Sequence, residues 1–303
     1  MDIITHHTIS DLYRALRLPV REGAAFAIHF KPDVFRDIPF KSPVFRAEYF
    51  SFGFIHAGAG RYTIDEHPYS FGPRTVYVTN PGHLKSFEID SLEDAYMITA
   101  TEQFLRETVH PDIFDEFPFL LAEAAPAHVL EQEVFEGLYM LVRHMSDEFR
   151  RDSAFKQQIL GSLLTALLLK LKEACWMDYN PMLEGSRNSQ IVKSFRQMLD
   201  AHFKAAVENR QSPGKLQAQE LGEKLNLHPN YLNSVIKAKT GRTINEWIAA
   251  RTLSAAKSLL HGTGLSAKEI AYRLGFSEPT HFIRFFKKHQ HATPIAYRKS
   301  RML

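Results

Sequence analysis

Between residues 20 and 100, apolar and polar positions alternate in short runs broken by Gly, Pro, Asp and Ser. FRAEYFSFGFIHAG (45–58), RYTID (61–65), RTVYVTN (74–80) and AYMITAT (95–101) read as strands, with a GxG turn at Gly58–Gly60 after the first. Strands this short and closely spaced predict a sandwich or small barrel. From about residue 102 the period changes. EQFLRETV reads as a short helix, and VLEQEVFEGLYMLVRHMSDEFR (129–150) places Val134, Leu138, Leu141, Val142 and Met145 at helical spacing. FKQQILGSLLTALLLKLKEACW (155–176) is a second long helix, apolar on more than one face. Such a helix buries two sides. One side can pack on its own domain and the other on a second copy of the chain. NPMLEGSRNS (180–189) has the composition of a linker. An amphipathic helix (189–204), a loop (208–215) and a string of short helices complete the chain.

The last hundred residues repeat themselves. ELGEKLNLHPNYLNSVIKAKTG (220–241) has a counterpart about fifty residues on, EIAYRLGFSEPTHFIRFFKKH (269–289). Leu221, Gly222, Leu225 and Asn226 match Ile270, Ala271, Leu274 and Gly275, and after a slip of one residue Leu232, Val235 and Ile236 match Phe282, Phe285 and Phe286. Further on, Trp247 matches Tyr297 and Arg251 matches Arg301. Each copy reads as helix, turn, helix. Gly222 and Ala271 supply a small residue where the helices approach, and Asn226 and Gly275 ease the turn because they tolerate a left-handed backbone. In the second copy Ser277 is the expected N-cap, with Glu278 and Pro279 in the first turn. Phe282, Phe285 and Phe286 form the apolar stripe, leaving Thr280, Ile283, Arg284 and Lys287 on the open side.

Charge sharpens this picture. The net charge of +3 hides a division: residues 190–303 carry 19 Lys+Arg against 7 Asp+Glu, a net of +12, and residues 1–189 carry 18 against 27, a net of −9. A basic segment on an acidic body points to a polyanion-binding module joined to a part that does not bind polyanions. Composition excludes other classes. With 45% hydrophobic residues the chain can bury real cores, and its single cysteine, Cys175, excludes a disulfide framework and a cysteine-based zinc site. The start, MDIITHHTISD, lacks the pattern of a secretory signal, and the most apolar run, LLTALLLKL, is too short to span a bilayer. The expectation is a cytoplasmic protein that does not engage membranes.

The repeat resembles the AraC/XylS family of bacterial transcription regulators over roughly residues 190–303. The resemblance is carried by AKSLLHGTGLSAKEIAYRLGFSEPTHFIRFFKKHQHATPIAYRK (256–299), within it IAYRLGF, FxRFFKK and TPxxYRK, and by NYLNSVIKAKTGRTINEWIAAR upstream. It implies an α+β multidomain chain: a cupin-like sensor barrel (1–125), a helical dimerisation or connecting segment (126–180), a linker (181–189) and an all-α domain (190–303). That domain would hold two helix-turn-helix units, about 216–240 and 266–289, joined by a long helix at about 244–260. The second helix of each unit would lie in successive major grooves of double-stranded DNA. By position, Asn230, Asn233 and Ser234 of the first unit and Pro279, Thr280, Ile283 and Arg284 of the second would face bases. A guanidinium can bond guanine bidentately and an asparagine can do the same with adenine. Lys237, Arg242, Lys287, Lys288 and Lys299 are phosphate contacts or solvated surface charges. RNA polymerase is a partner implied by the same resemblance. The chain departs from the family at His291, where glycine is usual, and in its first unit, where Val235–Ile236 replaces the more usual aromatic pair.

The amino-terminal half is less explicit. Aromatic residues including Phe52, Tyr62 and Tyr77, with His83, either line a pocket for a small-molecule effector or are plain core. Arg61 and Arg74 would suit a carboxylate if either points inward. His56, His67 and His83 could converge, but no HxH pair precedes Pro81–His83 at the spacing of a cupin metal site, so neither metal nor cofactor is expected. Leu160, Leu164, Leu167, Leu168 and Leu171 are either a homodimer seam or internal core. The rival readings are a metal-free cupin-type enzyme, for which no catalytic residues are evident, and a protein-interaction adaptor with a DNA-binding-like tail.

Overall fold

The computed structural model describes residues 4–18, 23–35, 37–122, 126–177, 187–208 and 214–300. It divides into two compact units, 1–185 and 186–303. In the first unit the elements run β1 (Ile4–His6), α1 (Ile9–Ala15), β2 (Phe26–Phe30), α2 (Lys31–Val34), β3 (Phe40–Lys41), β4 (Phe45–Ala47), β5 (Phe50–Ile64), β6 (His67–Phe71), β7 (Thr75–Thr79) and β8 (Leu84–Ala100). Then come α3 (Glu102–Thr108), α4 (Ile113–Glu116), a 3-10 turn at Pro118–Leu121, β9 (His128–Val129), α5 (Gln132–Arg150) and α6 (Lys156–Cys175). The second unit is entirely helical among the described residues: α7 (Arg187–Glu208), α8 (Ala218–Lys224), α9 (Pro229–Thr240), α10 (Ile244–Gly262), α11 (Ala267–Arg273), α12 (Pro279–Gln290) and α13 (Pro294–Ser300).

Among the described residues a single mixed sheet of nine strands is built on two long antiparallel strands, β5 and β8. Their first and second halves bind different neighbours. The start of β5 and the end of β8 join β7 and β2, and the other ends join β6, β3 and β4. The expected turn at Gly58–Gly60 is absent: the chain continues through a bend as β5, and the register slips between Ile55 and Gly60 instead. The glycines allow this bend rather than a reversal. Gly58 has φ +149°, and a Cβ at Gly60 would stand 2.3 Å from the Glu88 carbonyl oxygen. The reversal comes at Asp65 and Glu66, which take φ 45° and 75°. Likewise AYMITAT is only the end of β8. Bulges let one strand serve two differently oriented half-sheets, which a strict alternation test reads as two strands.

The strands bury both faces. Phe50, Phe52, Phe54, Val76, Val78 and Ile98 face a core shared with α5 and α6. Ile55, Tyr62, Ile64, Phe71, Tyr77 and Ile89 form a separate core on the other side. The leucines of α6 belong to the first core. Leu160, Leu164, Leu167, Leu168 and Leu171 are each at most 3% exposed within the chain itself. They are therefore internal packing and unavailable as a seam with a second copy; on this helix the large apolar residue left exposed is Leu169. The expected linker at 181–189 falls mostly outside the described residues, and α7 already begins at Arg187. The loop expected at 208–215 also lies largely outside them.

Two outcomes follow from this packing. Leu164→Ala should lower the stability of the first unit by about 2–5 kcal/mol, the cost of a buried leucine cavity, in a denaturant titration. Burial pushes Lys85 from the ordinary 10.5 down to about 7, with Asp65 partly opposing. The unfolded chain therefore binds the extra proton between these two values, and stability rises with pH across that window. Lys85→Met should flatten that rise, measured as Tm between pH 7 and 10.

Candidate nucleic-acid interface

The described residues of the second unit share one core. Ile191, Phe195, Leu199 and Phe203 of α7 pack with Leu221, Leu232, Ile236, Trp247, Ile270, Phe282 and Phe286 from the five helices that follow. Within it α8–α9 and α11–α12 are two helix-turn-helix pairs, each beginning after a short turn. The turn of the first pair uses Asn226 at φ 53°, and that of the second uses Gly275 at φ 80°. Gly222 sits where a Cβ would lie 2.7 Å from the Leu227 carbonyl oxygen. The helices that open after each unit's neighbour are capped alike. Thr243 and Glu246 form a capping box at α10, and Ser266 and Glu269 form one at α11. In each, hydrogen bonds from the capping residue's backbone amide and its side chain hold the glutamate below the usual carboxylate range.

The second helix of each pair starts with proline. The expected N-cap of α12, Ser277, is displaced by one residue: Glu278 is the N-cap and makes no side-chain capping bond. At α9 the cap is His228, whose ring accepts from the Asn230 amide at 3.2 Å. Both helices end in a left-handed residue, Gly241 at φ 79° and His291 at φ 57°. The conformation at His291 is the one anticipated from the glycine usual at that place, and a Cβ is strained there. Of the aromatic stripe, Phe282 and Phe286 are fully buried, and Phe285 is half-buried against Phe276, their ring centroids 5.5 Å apart.

The opposite faces of α9 and α12 stay in solvent. Asn230, Ser234 and Lys237 are exposed on the first; Thr280, Ile283, Arg284, Lys287 and Lys288 on the second, with Pro279 half-buried at its start. Lys299 is exposed on α13. Two expected contact residues are engaged elsewhere. The Asn233 side-chain oxygen accepts from the Ile244 amide at 3.0 Å, so it ties α9 to the start of α10 instead of facing outward. Arg242 lies over the Trp247 ring, 5.6 Å from its centroid. The Trp247 indole in turn donates to Thr240 Oγ1 at 3.0 Å. Sequence periodicity puts Asn233 on the open face, but the α9–α10 turn folds back onto it.

Three groups that fix the unit escaped the sequence reading. Arg251 pairs with Asp200 at 2.9 Å, joining α10 to α7. Arg298 of α13 donates to the carbonyl oxygens of Leu260 and Leu265, at 2.9 and 2.6 Å, and so closes the end of α10. The Tyr231 hydroxyl donates to Asn188 Oδ1 at 3.4 Å, joining α9 to α7. The repeat match of Arg251 marked the arginine as conspicuous; its aspartate lies fifty residues away and carries no local signal.

In the first unit the four residues read as a pocket do not converge. Phe52 faces the core shared with the helices, whereas Tyr62 and Tyr77 stack in the other core, centroids 4.6 Å apart. The ring of His83 bonds Asp65 through Nδ1 at 2.7 Å. His67 also meets Asp65, at its carbonyl oxygen, while His56 lies between Asp94 and Glu136. Among the described residues no group of three or more His, Cys, Asp or Glu is arranged to hold a metal ion. Arg61 is turned outward onto Glu88, and Arg74 is exposed. Cys175 is pushed up to about 12 by burial, so it is a thiol at neutral pH.

Sequence comparison agrees with this geometry. A helix-turn-helix domain family matches residues 221–300. The chain is 32% identical over 108 residues to the HTH-type transcriptional regulator YtdP of Bacillus subtilis, covering 34% of this chain and 14% of that protein. It is 27% identical over 115 residues to the HTH-type transcriptional regulator YijO of Escherichia coli, covering 38% of each. The chain thus spans well under two thirds of these two relatives. To the transcriptional activator RhaR of Mannheimia succiniciproducens it is 22% identical over 272 residues, 89% of each chain. With two helix-turn-helix pairs on one core and these matches, residues 221–300 form a helix-turn-helix domain, and the chain is similar there to HTH-type transcriptional regulators.

Proposed function

We propose that this protein is a transcription regulator that binds double-stranded DNA through α9 and α12 and responds to a small-molecule effector in its amino-terminal unit. The observation that carries the reading is the pairing of two equivalent helix-turn-helix units on one core, each with the open face of its second helix in solvent. The excess of 19 Lys+Arg over 7 Asp+Glu in residues 190–303 supports it, because phosphate neutralisation supplies most of the affinity of such domains.

In this reading the two units contribute unequally. α12 offers Arg284 for bidentate contact with guanine and Ile283 for a thymine methyl, flanked by Lys287 and Lys288 for phosphates. Thr280 and Pro279 stand at its start. α9 offers only Asn230 and Ser234 toward bases, with Lys237 for phosphate, and the Ser234 hydroxyl already donates to the Asn230 carbonyl at 2.9 Å. The second unit is therefore the main sequence reader. Lys299 and Arg242 serve phosphates, Arg242 after leaving the Trp247 ring. RNA polymerase and a second copy of the chain are the protein partners, and the setting is the cytoplasm; no helix among the described residues is long and apolar enough to cross a membrane. A pairing surface would have to avoid the α6 leucines. Nucleophilic catalysis through Cys175 is disfavoured because its thiol is protonated.

Selection of bound fragments from the chain's own genome, followed by sequencing, tests the reading; a shared motif spanning two successive major-groove segments is expected, and salt-sensitive binding without one would reduce the protein to a non-specific DNA binder. On that motif Arg284→Ala should cost about 1–3 kcal/mol and relax preference at one base pair, measured by fluorescence anisotropy on single-base variants. An equal loss on every sequence would instead place Arg284 on phosphate. Asn233→Ala should behave differently: it should destabilise the domain by about 1 kcal/mol through loss of the Ile244 hydrogen bond, and weaken all DNA sequences alike.

A further inference from the structure

The second helices of the two pairs close in the same way, yet one closure carries a residue that its backbone disfavours. The Gly241 amide ends α9 by donating to the Lys237 carbonyl oxygen at 2.9 Å, and the His291 amide ends α12 by donating to the Lys287 carbonyl oxygen at the same distance. Both closing residues are left-handed, at φ 79° and 57°. Glycine takes that conformation freely, whereas a residue with a Cβ takes it under strain. Gly241 makes the closure without a side chain, so the backbone has no need of one at 291.

Packing does not account for the imidazole either. His291 is exposed, and among the described residues its ring makes no hydrogen bond, ion pair or ring contact. His289, two residues earlier, differs: its ring lies against half-buried Phe285, centroids 4.7 Å apart. Strain that no internal contact explains points to a use outside the fold.

Position on the helix narrows that use. Arg284, Lys287 and His291 follow at i, i+3 and i+7, so the histidine continues the exposed basic line of α12 to its end. Lys288 stands beside it, one turn back. A helix in the major groove meets bases with its first turns and the DNA backbone with its last. That last turn has carbonyl oxygens without helical partners and the negative end of the helix dipole, both unfavourable to a phosphate. Side-chain donors must screen them. Lys287 and Lys288 bring charge, and the imidazole brings a directed N–H, which both of its tautomers possess.

We propose that His291 donates a hydrogen bond from its ring to a DNA phosphate, carrying the backbone contact of the second pair beyond the end of α12. Such a contact sets affinity and register without reading sequence. The first pair, closed by Gly241, has no counterpart to it. This contact rests on the DNA-binding reading above and adds a residue that the reading leaves out.

The test compares the full chain with His291→Gly and His291→Lys, on the selected motif and on an unrelated duplex of equal length, by fluorescence anisotropy at fixed salt. His291→Gly should weaken binding to both duplexes by about three- to tenfold and leave their ratio unchanged. The same substitution relieves the backbone, so amide exchange in α12 should slow by about two- to fivefold, read by mass spectrometry. Affinity and local stability then move in opposite directions, which a purely structural residue cannot produce. His291→Lys keeps the strain but presents a longer, charged donor, and should bind both duplexes at least as tightly as the unaltered chain. Unchanged affinity in His291→Gly, a loss confined to one base pair of the motif, or faster exchange in α12 alongside weaker binding would each overturn the phosphate contact. Binding by His291→Lys no tighter than by His291→Gly would overturn it as well. An unaltered chain that binds no duplex would sink the DNA-binding reading itself, whereas a chain that binds DNA but ignores every change at 291 would sink this contact alone.

Discussion

At Gly222 an added methyl group would stand 2.7 Å from the Leu227 carbonyl oxygen, closer than real side-chain carbons approach. This close crossing decides the geometry of the helix-turn-helix unit. Two helices of seven and twelve residues are too short to be stable alone, so each must bury its stripe in the shared core. They can do so only if the turn is tight, which calls for a small residue at the crossing and a left-handed residue, Asn226 or Gly275, at the corner. With the stripes fixed inward, the polar and basic side chains of α9 and α12 have nowhere to go but outward. The exposed polar face is thus a by-product of packing, and the capping boxes at Thr243 and Ser266 set where the next helices begin.

The two units of the chain treat positive charge in opposite ways. On α9 and α12 of the helical unit Lys237, Arg284, Lys287 and Lys288 are left in water, where they are cheap to hold and available to a polyanion. Arginines turned inward there are tied down: buried Arg251 by Asp200, half-buried Arg298 by the carbonyl oxygens at the end of α10. In the sheet unit two lysines are buried without an acid and are held by hydroxyls and ring faces. Such burial penalises the charged form, which is why Lys85 falls to about 7. The same side chain is therefore solvated in one setting and interior in the other, and burial is the variable that distinguishes them.

The helical unit was legible in the sequence because its signals are local. Repeat spacing located both helix pairs, the apolar stripes separated buried from open faces, and the glycine expected in place of His291 foretold its left-handed backbone, observed at φ 57°. The errors there came from contacts beyond one turn. Asn233 lies on the open side of its own helix, yet its oxygen is claimed by Ile244 from the next. Ser277 has the chemistry of a cap, but the helix starts one residue later at Pro279.

In the sheet unit, sequence determined that strands precede helices and roughly where they lie. Only the tertiary structure decided that β5 and β8 each continue through a bend, because a bulge keeps hydrogen bonds across a break in alternation. It also decided that Phe52 and Tyr77 serve different cores, and that the leucines of α6 close onto their own sheet. Periodicity shows how many faces of an element are apolar and says nothing of what covers them. The charges followed the same rule: composition revealed a basic carboxyl-terminal segment, but which cations in the acidic half are inside depends on strand register, and a register shift of one residue would exchange inner and outer faces. Lys31 and Lys85 look in sequence like any other surface lysines; the fold alone buries them.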